Sequence, residues 1–237
     1  LIENRNVYVN GQIGNLIGYT PAEIQDMGDS FFPSLMHPDD FQEMPEYIKK
    51  IATAADGEIF EIEYRMRDKA GNWHWLVSRD TVFARTPDGC PKQMLGAAAD
   101  ITERKRVEER LRLSERAIAA SSNGIAIADP TLPDNPLIFV NPAFERNTGY
   151  KAAEVLGKNC RFLQGKDRRQ PALKTLRNAL KNRQSCTVVL RNYRRDGSLF
   201  WNELTISPIF DSRGNLTHYL GIQNDITASK QVQEQLQ

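Results

Sequence analysis

A chain of 237 residues, 40% hydrophobic and 26% charged, has the balance of a globular protein and room for two domains with separate cores. No apolar run approaches the roughly 20 residues that cross a bilayer, and no signal-peptide pattern opens the sequence, so a cytoplasmic protein with no membrane partner is expected. The 31 basic and 30 acidic residues are interspersed and sum to +1, which leaves no electrostatic footprint for a polyanion and argues against direct nucleic-acid binding.

In chain order, Gly18-Tyr19 precedes a short helical stretch ending near Ile24. His37-Pro38-Asp39-Asp40 then reads as a loop and helix cap rather than a metal or acid/base pair, so no metal site is expected. Lys69-Ala70-Gly71 marks a hairpin turn ahead of Trp75, and Asp100-Ile101-Thr102 closes the unit. The same signals return later. Gly149-Tyr150, with a helical stretch ending near Val155, answers the first pair. Arg195-Asp196-Gly197 with Trp201 answers the second set, and Asp225-Ile226-Thr227 the third. Two homologous domains in tandem account for this.

Between them, Val107, Leu111, Ser114 and Ile118 recur in steps of four, three and four, the narrow seam of a two-stranded coiled coil. Glu108 lies four residues before Arg112, a pair worth ~0.3 kcal/mol on an exposed helix. Val232 and Leu236 restart a similar seam at the C-terminus. A homodimer through the first domain or these helices is expected, with an effector domain downstream.

The second unit reads as strand Gly124 to Asp129, strand Leu137 to Asn141, short helices through Leu163, and a longer helix around Pro171 to Asn182. Three strands follow. The first two form a hairpin turning at Asp196-Gly197, and the third runs from about Leu216 to Asp225. Five antiparallel strands with helices on one side make an α+β domain. Both halves resemble PAS domains, and the Asp-Ile-Thr ending followed by a charged helix is similar to that family's usual exit. The expected boundaries are a PAS domain over 1–102, a helical linker over 103–117, a second PAS domain over 118–227 and the start of a C-terminal helix over 228–237. Aligning Tyr19 with Tyr150 sets Leu1 opposite Leu132, so the first domain is expected to lack its opening strand.

Cys90, Cys160 and Cys186 are an odd number without metal-ligand spacing, which suits a reducing compartment. Taken singly, each reads as a small buried hydrophobe. The surroundings of Cys160 differ. Gly157-Lys158-Asn159-Cys160-Arg161-Phe162-Leu163-Gln164-Gly165 resembles the signature of light-oxygen-voltage (LOV) flavoproteins, and the resemblance extends over about half the chain, from Ile118 to Lys230. It implies blue-light sensing by a reversible cysteinyl-flavin adduct on Cys160, with no turnover, and hence no enzyme in this chain.

Strand alternation supplies a separate signal. Leu190, Asn192, Asn202, Leu204 and Ile206 share the apolar face of the hairpin. A buried amide without a partner costs ~1–3 kcal/mol, so Asn192 and Asn202, with Gln223 on the next strand, require hydrogen bonds. They could satisfy one another, hold buried water, or match the alternating donors and acceptors of a flavin's pyrimidine edge. The resemblance favours the flavin, with Gln223 also the hydrogen-bond switch that follows the adduct. It assigns Arg161 and Arg177 to a phosphate and Asn159 and Gln164 to a ribityl chain, and the short loop from Gln164 to Pro171 points to FMN over FAD.

Met66, Leu76 and Ala98 stand where the second domain has Asn192, Asn202 and Gln223, and Asp29 stands where it has Cys160. The first domain is therefore expected to bind no flavin and to offer at most an apolar cleft near Met66 and Leu76. A flavin-dependent redox protein and a tandem PAS interaction module without photochemistry are the competing readings. The first lacks a resolving cysteine and a nicotinamide-binding glycine pattern.

Overall fold

Proline and polar caps divide the start of the chain into brief helices before its first sheet. The computed structural model describes residues 10–55 and 57–236. Helix α1 (Ile13–Ile17) stops at Gly18, whose φ of 76° is the left-handed value that favours glycine. Thr20 and Glu23 form a reciprocal capping box on α2 (Pro21–Met27). A single 3-10 turn and α3 (Phe31–Leu35) lead to α4 (Pro38–Ala52). His37 caps α4 by accepting from the Asp39 backbone N–H at 3.3 Å, as the sequence suggests. Strands β1 (Phe60–Arg67), β2 (Trp73–Arg85) and β3 (Pro91–Asp100) then form an antiparallel sheet in that order. The segment homologous to the second strand of the later domain falls at residues 6–9, outside the described residues.

In the first unit's core, Ile17, Ile24, Phe31, Leu35 and Met36 pack with Tyr64, Met66 and Leu76. Met66 and Leu76 are 2% and 1% exposed, so both side chains face the interior.

Helix α5 (Thr102–Ala120) begins one residue before and ends three after the expected linker, and the two compact units divide within it, between Leu111 and Arg112. None of its residues is buried, and Val107, Leu111 and Ile118 of the seam are exposed. Glu108 does not wait for Arg112. It reaches back to Arg104 at 3.8 Å and Lys105 at 4.0 Å, near the helix start where Glu63 also gathers both cations.

The second unit comprises β4 (Gly124–Ala128), β5 (Leu137–Val140), α6 (Pro142–Thr148), α7 (Ala152–Val155), the 3-10 helix Cys160–Gln164, α8 (Ala172–Lys181), β6 (Cys186–Tyr193), β7 (Leu199–Phe210), β8 (Leu216–Asp225) and α9 (Thr227–Gln235). Its antiparallel sheet has the order β5-β4-β8-β7-β6. The first two strands each end one residue short of expectation. Asn141 ends β5 because its side chain is taken up elsewhere: its oxygen accepts from Ile125 and Phe144 N–H at 2.8 and 2.9 Å, and its amide donates to the Ile118 and Asn123 carbonyls. That residue caps α6 and ties the last turn of α5 to β4.

The repeat holds at the level of single bonds. Lys69 N–H donates to the Ile17 carbonyl at 3.0 Å, and Arg195 N–H to the Thr148 carbonyl at 2.9 Å. Trp75 N–H donates to the Thr102 hydroxyl and Trp201 N–H to the Thr227 hydroxyl, both at 2.9 Å. Both units are α+β, with helices preceding or covering an antiparallel sheet.

Candidate functional site

Alternation along β6 and β7 decides which side chains meet under α8. Val188, Leu190 and Asn192 of β6 and Phe200, Asn202 and Leu204 of β7 are buried, while their sequence neighbours turn outward. Register sets Leu204 opposite Gln223 of β8, so a third amide joins the same inner face. Asn192, Asn202 and Gln223 are 3%, 1% and 3% exposed.

These amides are only partly satisfied by one another. Asn202 Nδ2 donates to Asn192 Oδ1 at 2.8 Å, and Asn192 Nδ2 donates to the Arg191 carbonyl at 3.0 Å. Gln223 Nε2 donates to Cys160 Sγ at 3.5 Å. Asn202 Oδ1 and Gln223 Oε1 are buried without a protein partner. Two such acceptors carry a cost of about 1–3 kcal/mol each, which is hard to reconcile with a purely structural role. They line a cavity of about 110 Å³ together with Asn192, Cys160, Asn159, Arg161 and Gln164, closed on its apolar sides by Leu176, Leu180, Leu190, Leu204 and Ile206. A cavity with apolar walls, a donor-acceptor edge, a thiol and a cation at its rim has the chemistry to hold a planar heteroaromatic ring with a polar edge and an anionic tail.

Burial pushes the Cys160 thiol up to about 12, and the Gln223 bond offsets this only in part. The site therefore stores a neutral thiol. Burial also raises Cys186, whereas Cys90 is exposed. Iodoacetamide labelling in the dark at pH 8 is expected to modify Cys90 first, Cys186 later and Cys160 last. A rise from 9.0 to about 12 reduces the reactive thiolate about a thousandfold. Peptide mapping reads the order, and equal rates at Cys90 and Cys160 would rule out a dry thiol.

The rim was less legible in the sequence. Arg161 is 53% exposed; its Nη2 donates to Asp134 Oδ1 at 2.5 Å and its Nε to Asn159 Oδ1 at 3.0 Å. Asn159 Nδ2 donates to the Asp134 carbonyl. Asp134 and the cavity-lining Asn135 have φ of 69° and 49°. Neither was foreseen, although two residues that tolerate the left-handed region just before Pro136 were a usable signal. Gln170, also unforeseen, is buried and bonds both the Arg191 N–H and its carbonyl, at 2.7 and 2.8 Å. It thereby braces the strand residue next to Asn192. The structure does not bring Arg177 to the cavity wall: it is exposed on α8, one residue beyond cavity-lining Leu176.

Comparison with known proteins agrees with this architecture. The PAS domain family matches residues 122–228, and the PAS fold family matches residues 6–98. The blue-light photoreceptor of Listeria monocytogenes is 45% identical over 122 residues, 52% of this chain and 48% of that one. The bacterioopsin transcriptional activator of Halobacterium salinarum is 45% identical over 131 residues, 55% of this chain and 19% of that one. The blue-light-activated histidine kinase of Brucella anthropi is 46% identical over 101 residues, 43% of this chain and 21% of that one. The chain thus spans less than half the length of each of these relatives. A solved RNA-binding light-oxygen-voltage receptor shares the fold, with a TM-score of 0.50 over 96% of this chain and 94% of that one at 22% identity. No helix among the described residues is long and apolar enough to cross a membrane. The shared turn and exit bonds and the two family matches show that this chain carries two PAS domains in tandem.

Proposed function

We propose that the second domain is a LOV-type blue-light sensor that binds FMN in the cavity under α8 and uses Cys160 as its photoreactive thiol. The observation that carries this reading is the pair of buried, unpartnered oxygens on Asn202 and Gln223, residues that line the same cavity as Cys160. The names of the Listeria and Brucella relatives support blue light as the stimulus.

Asn192, Asn202 and Gln223 would hold the polar edge of the ring, Asn159 and Gln164 the ribityl chain, and Arg161 the phosphate, whose charge the guanidinium is suited to meet. Arg177 would reach the phosphate only by reorienting from its exposed position. A bound flavin supplies the absorption of blue light and an electrophilic ring carbon. Cys160, which burial keeps protonated in the dark, would supply both the sulfur and the proton for a reversible thiol addition to that ring.

Gln223 would sense this exchange. Its carboxamide offers a donor at one end and an acceptor at the other, so protonation of a facing nitrogen would favour the reversed orientation. It lies two residues before Asp225, which accepts from the Thr227 hydroxyl and N–H at the start of α9. A local flip can therefore bias the exit helix. In this reading the chain senses without turnover, dimerises through its first domain or α5, and delivers the signal to an output domain, as the names of the kinase relatives suggest.

The test is an absorption spectrum of the purified protein before and after blue light. A flavin band that bleaches on illumination and recovers in darkness is the expected result. A protein that takes up no added FMN, or one that consumes reduced nicotinamide steadily, would refute it.

A further inference from the structure

Each domain passes its last strand into a helix through the same joint, but the cation that closes the joint differs. In the second domain, Arg194 Nη2 donates to Asp225 Oδ2 at 2.7 Å, and its guanidinium lies 4.7 Å over the Phe200 ring. The homologous positions in the first domain are Asp68, Asp100 and His74. There His74 Nδ1 lies 2.9 Å from Asp100 Oδ2 and Nε2 lies 3.1 Å from Asp68 Oδ2. A carboxylate replaces the arginine, and an imidazole replaces the phenyl ring.

The geometry constrains the protonation state. A neutral imidazole has one N–H, whereas an imidazolium has two. Both ring nitrogens face carboxylate oxygens, so both contacts are hydrogen bonds only when His74 carries its proton. Asp100 also accepts from the Thr102 N–H at 2.7 Å, and the Thr102 hydroxyl accepts from Trp75 N–H. The His74 ring thus joins the hairpin turn at Asp68 to the end of β3, and Asp100 carries the link on to the first residue of α5.

We propose that His74 is a proton-dependent latch that fastens the first domain's hairpin to the start of its exit helix, while the arginine joint of the second domain is indifferent to pH. Asp68 and Asp100 are the charged groups that act on the ring. Its cross-strand partner is Met66 and its chain neighbours are Trp73 and Trp75. Nearby cations are otherwise engaged: Arg67 lies over Trp73, Lys69 pairs with Glu23, and Arg104 and Lys105 pair with Glu63.

The electrostatics are consistent with this geometry. The Asp100 bond raises His74 above its ordinary value of 6.5, against partial desolvation and with further help from Asp68. Asp68 is lowered to about 2, first by Asn72 and then by His74. Partial burial works against ionisation of Asp100, but the Thr102 hydroxyl and N–H, with His74, hold it below the usual carboxylate range. Both carboxylates therefore stay charged near neutrality. A raised histidine contributes stability that is complete below 6.5 and lost as pH rises through the higher folded value. Above that value two carboxylates face a ring that can donate to only one.

Amide hydrogen exchange of the whole chain between about pH 5.5 and 8.5, expressed as protection factors, tests the proposal. Protection at Ile101, Thr102 and Lys105 is expected to fall about fivefold as His74 deprotonates, the scale of a half-buried ion pair. Protection at Ile226, Thr227 and Lys230 should stay level. The double replacement Asp68→Arg with His74→Phe installs the second domain's chemistry and should abolish the pH dependence. Asp68→Asn, which keeps the histidine, should move the midpoint to lower pH. A level profile at Thr102 in the natural sequence, an equal loss at Thr227, or an unmoved midpoint in Asp68→Asn would each overturn the latch.

Discussion

Cys160→Ala is expected to retain flavin and to lose the light-induced bleaching of the blue absorption band completely. The substitution removes the one sulfur in contact with Gln223 Nε2, while the amides of Asn192 and Asn202 and the Arg161 guanidinium stay in place to hold the ligand. The alanine side chain leaves only a small additional void in an existing cavity, so folding should change little. Cys90→Ala and Cys186→Ala should bleach and recover as the natural sequence does, because Cys90 lies in the first unit and neither residue lines the cavity. Absorption spectra in darkness and after illumination read all three variants. Identical bleaching and recovery in Cys160→Ala would remove that residue from the photochemistry.

The second large effect is expected when the inner face of the second domain is given the chemistry of the first. The triple replacement Asn192→Met, Asn202→Leu and Gln223→Ala installs the residues found at the homologous positions. Removing three amide contacts at about 1 kcal/mol each should weaken FMN binding by roughly a hundredfold. The flavin-free variant should nevertheless resist urea at least as well as the flavin-free natural protein. Two of the lost oxygens are buried acceptors without partners, and their removal relieves a desolvation cost that the natural sequence bears for binding. Fluorescence titration with FMN measures the first quantity and the urea midpoint the second. Affinity within about threefold of the natural protein would show that the amides are not the ligand's polar contacts.

Much of this architecture is local in origin and was therefore readable. The turns at Gly71 and Gly197, each with positive φ, mark hairpins because few other residues adopt that conformation. The Thr20 box and the His37 cap act within three residues of chain. Strand period alone put Asn192 and Asn202 on the face that the fold buries, and repetition of the pattern exposed the duplicated domain. The identities of the amides and of Cys160 narrowed the chemistry before any contact was known.

What folding alone could decide is how distant residues share a few buried atoms. Gln223 and Cys160 are 63 positions apart, and nothing local states which end of the amide meets the sulfur or that the other end is left without a partner. Arg161 is aligned by Asp134, which lies 27 positions earlier, whereas Arg177, equally basic, is exposed beside the cavity. The packing of the first domain around Met66 and Leu76 depends on helices that arrive from elsewhere in the chain. The ring of His74 becomes a proton latch only because the hairpin and the end of β3 converge on its two nitrogens. Alternation and caps are short-range consequences of backbone geometry. Hydrogen-bond partnership and desolvation depend on which surfaces close together, and that is a property of the packed chain.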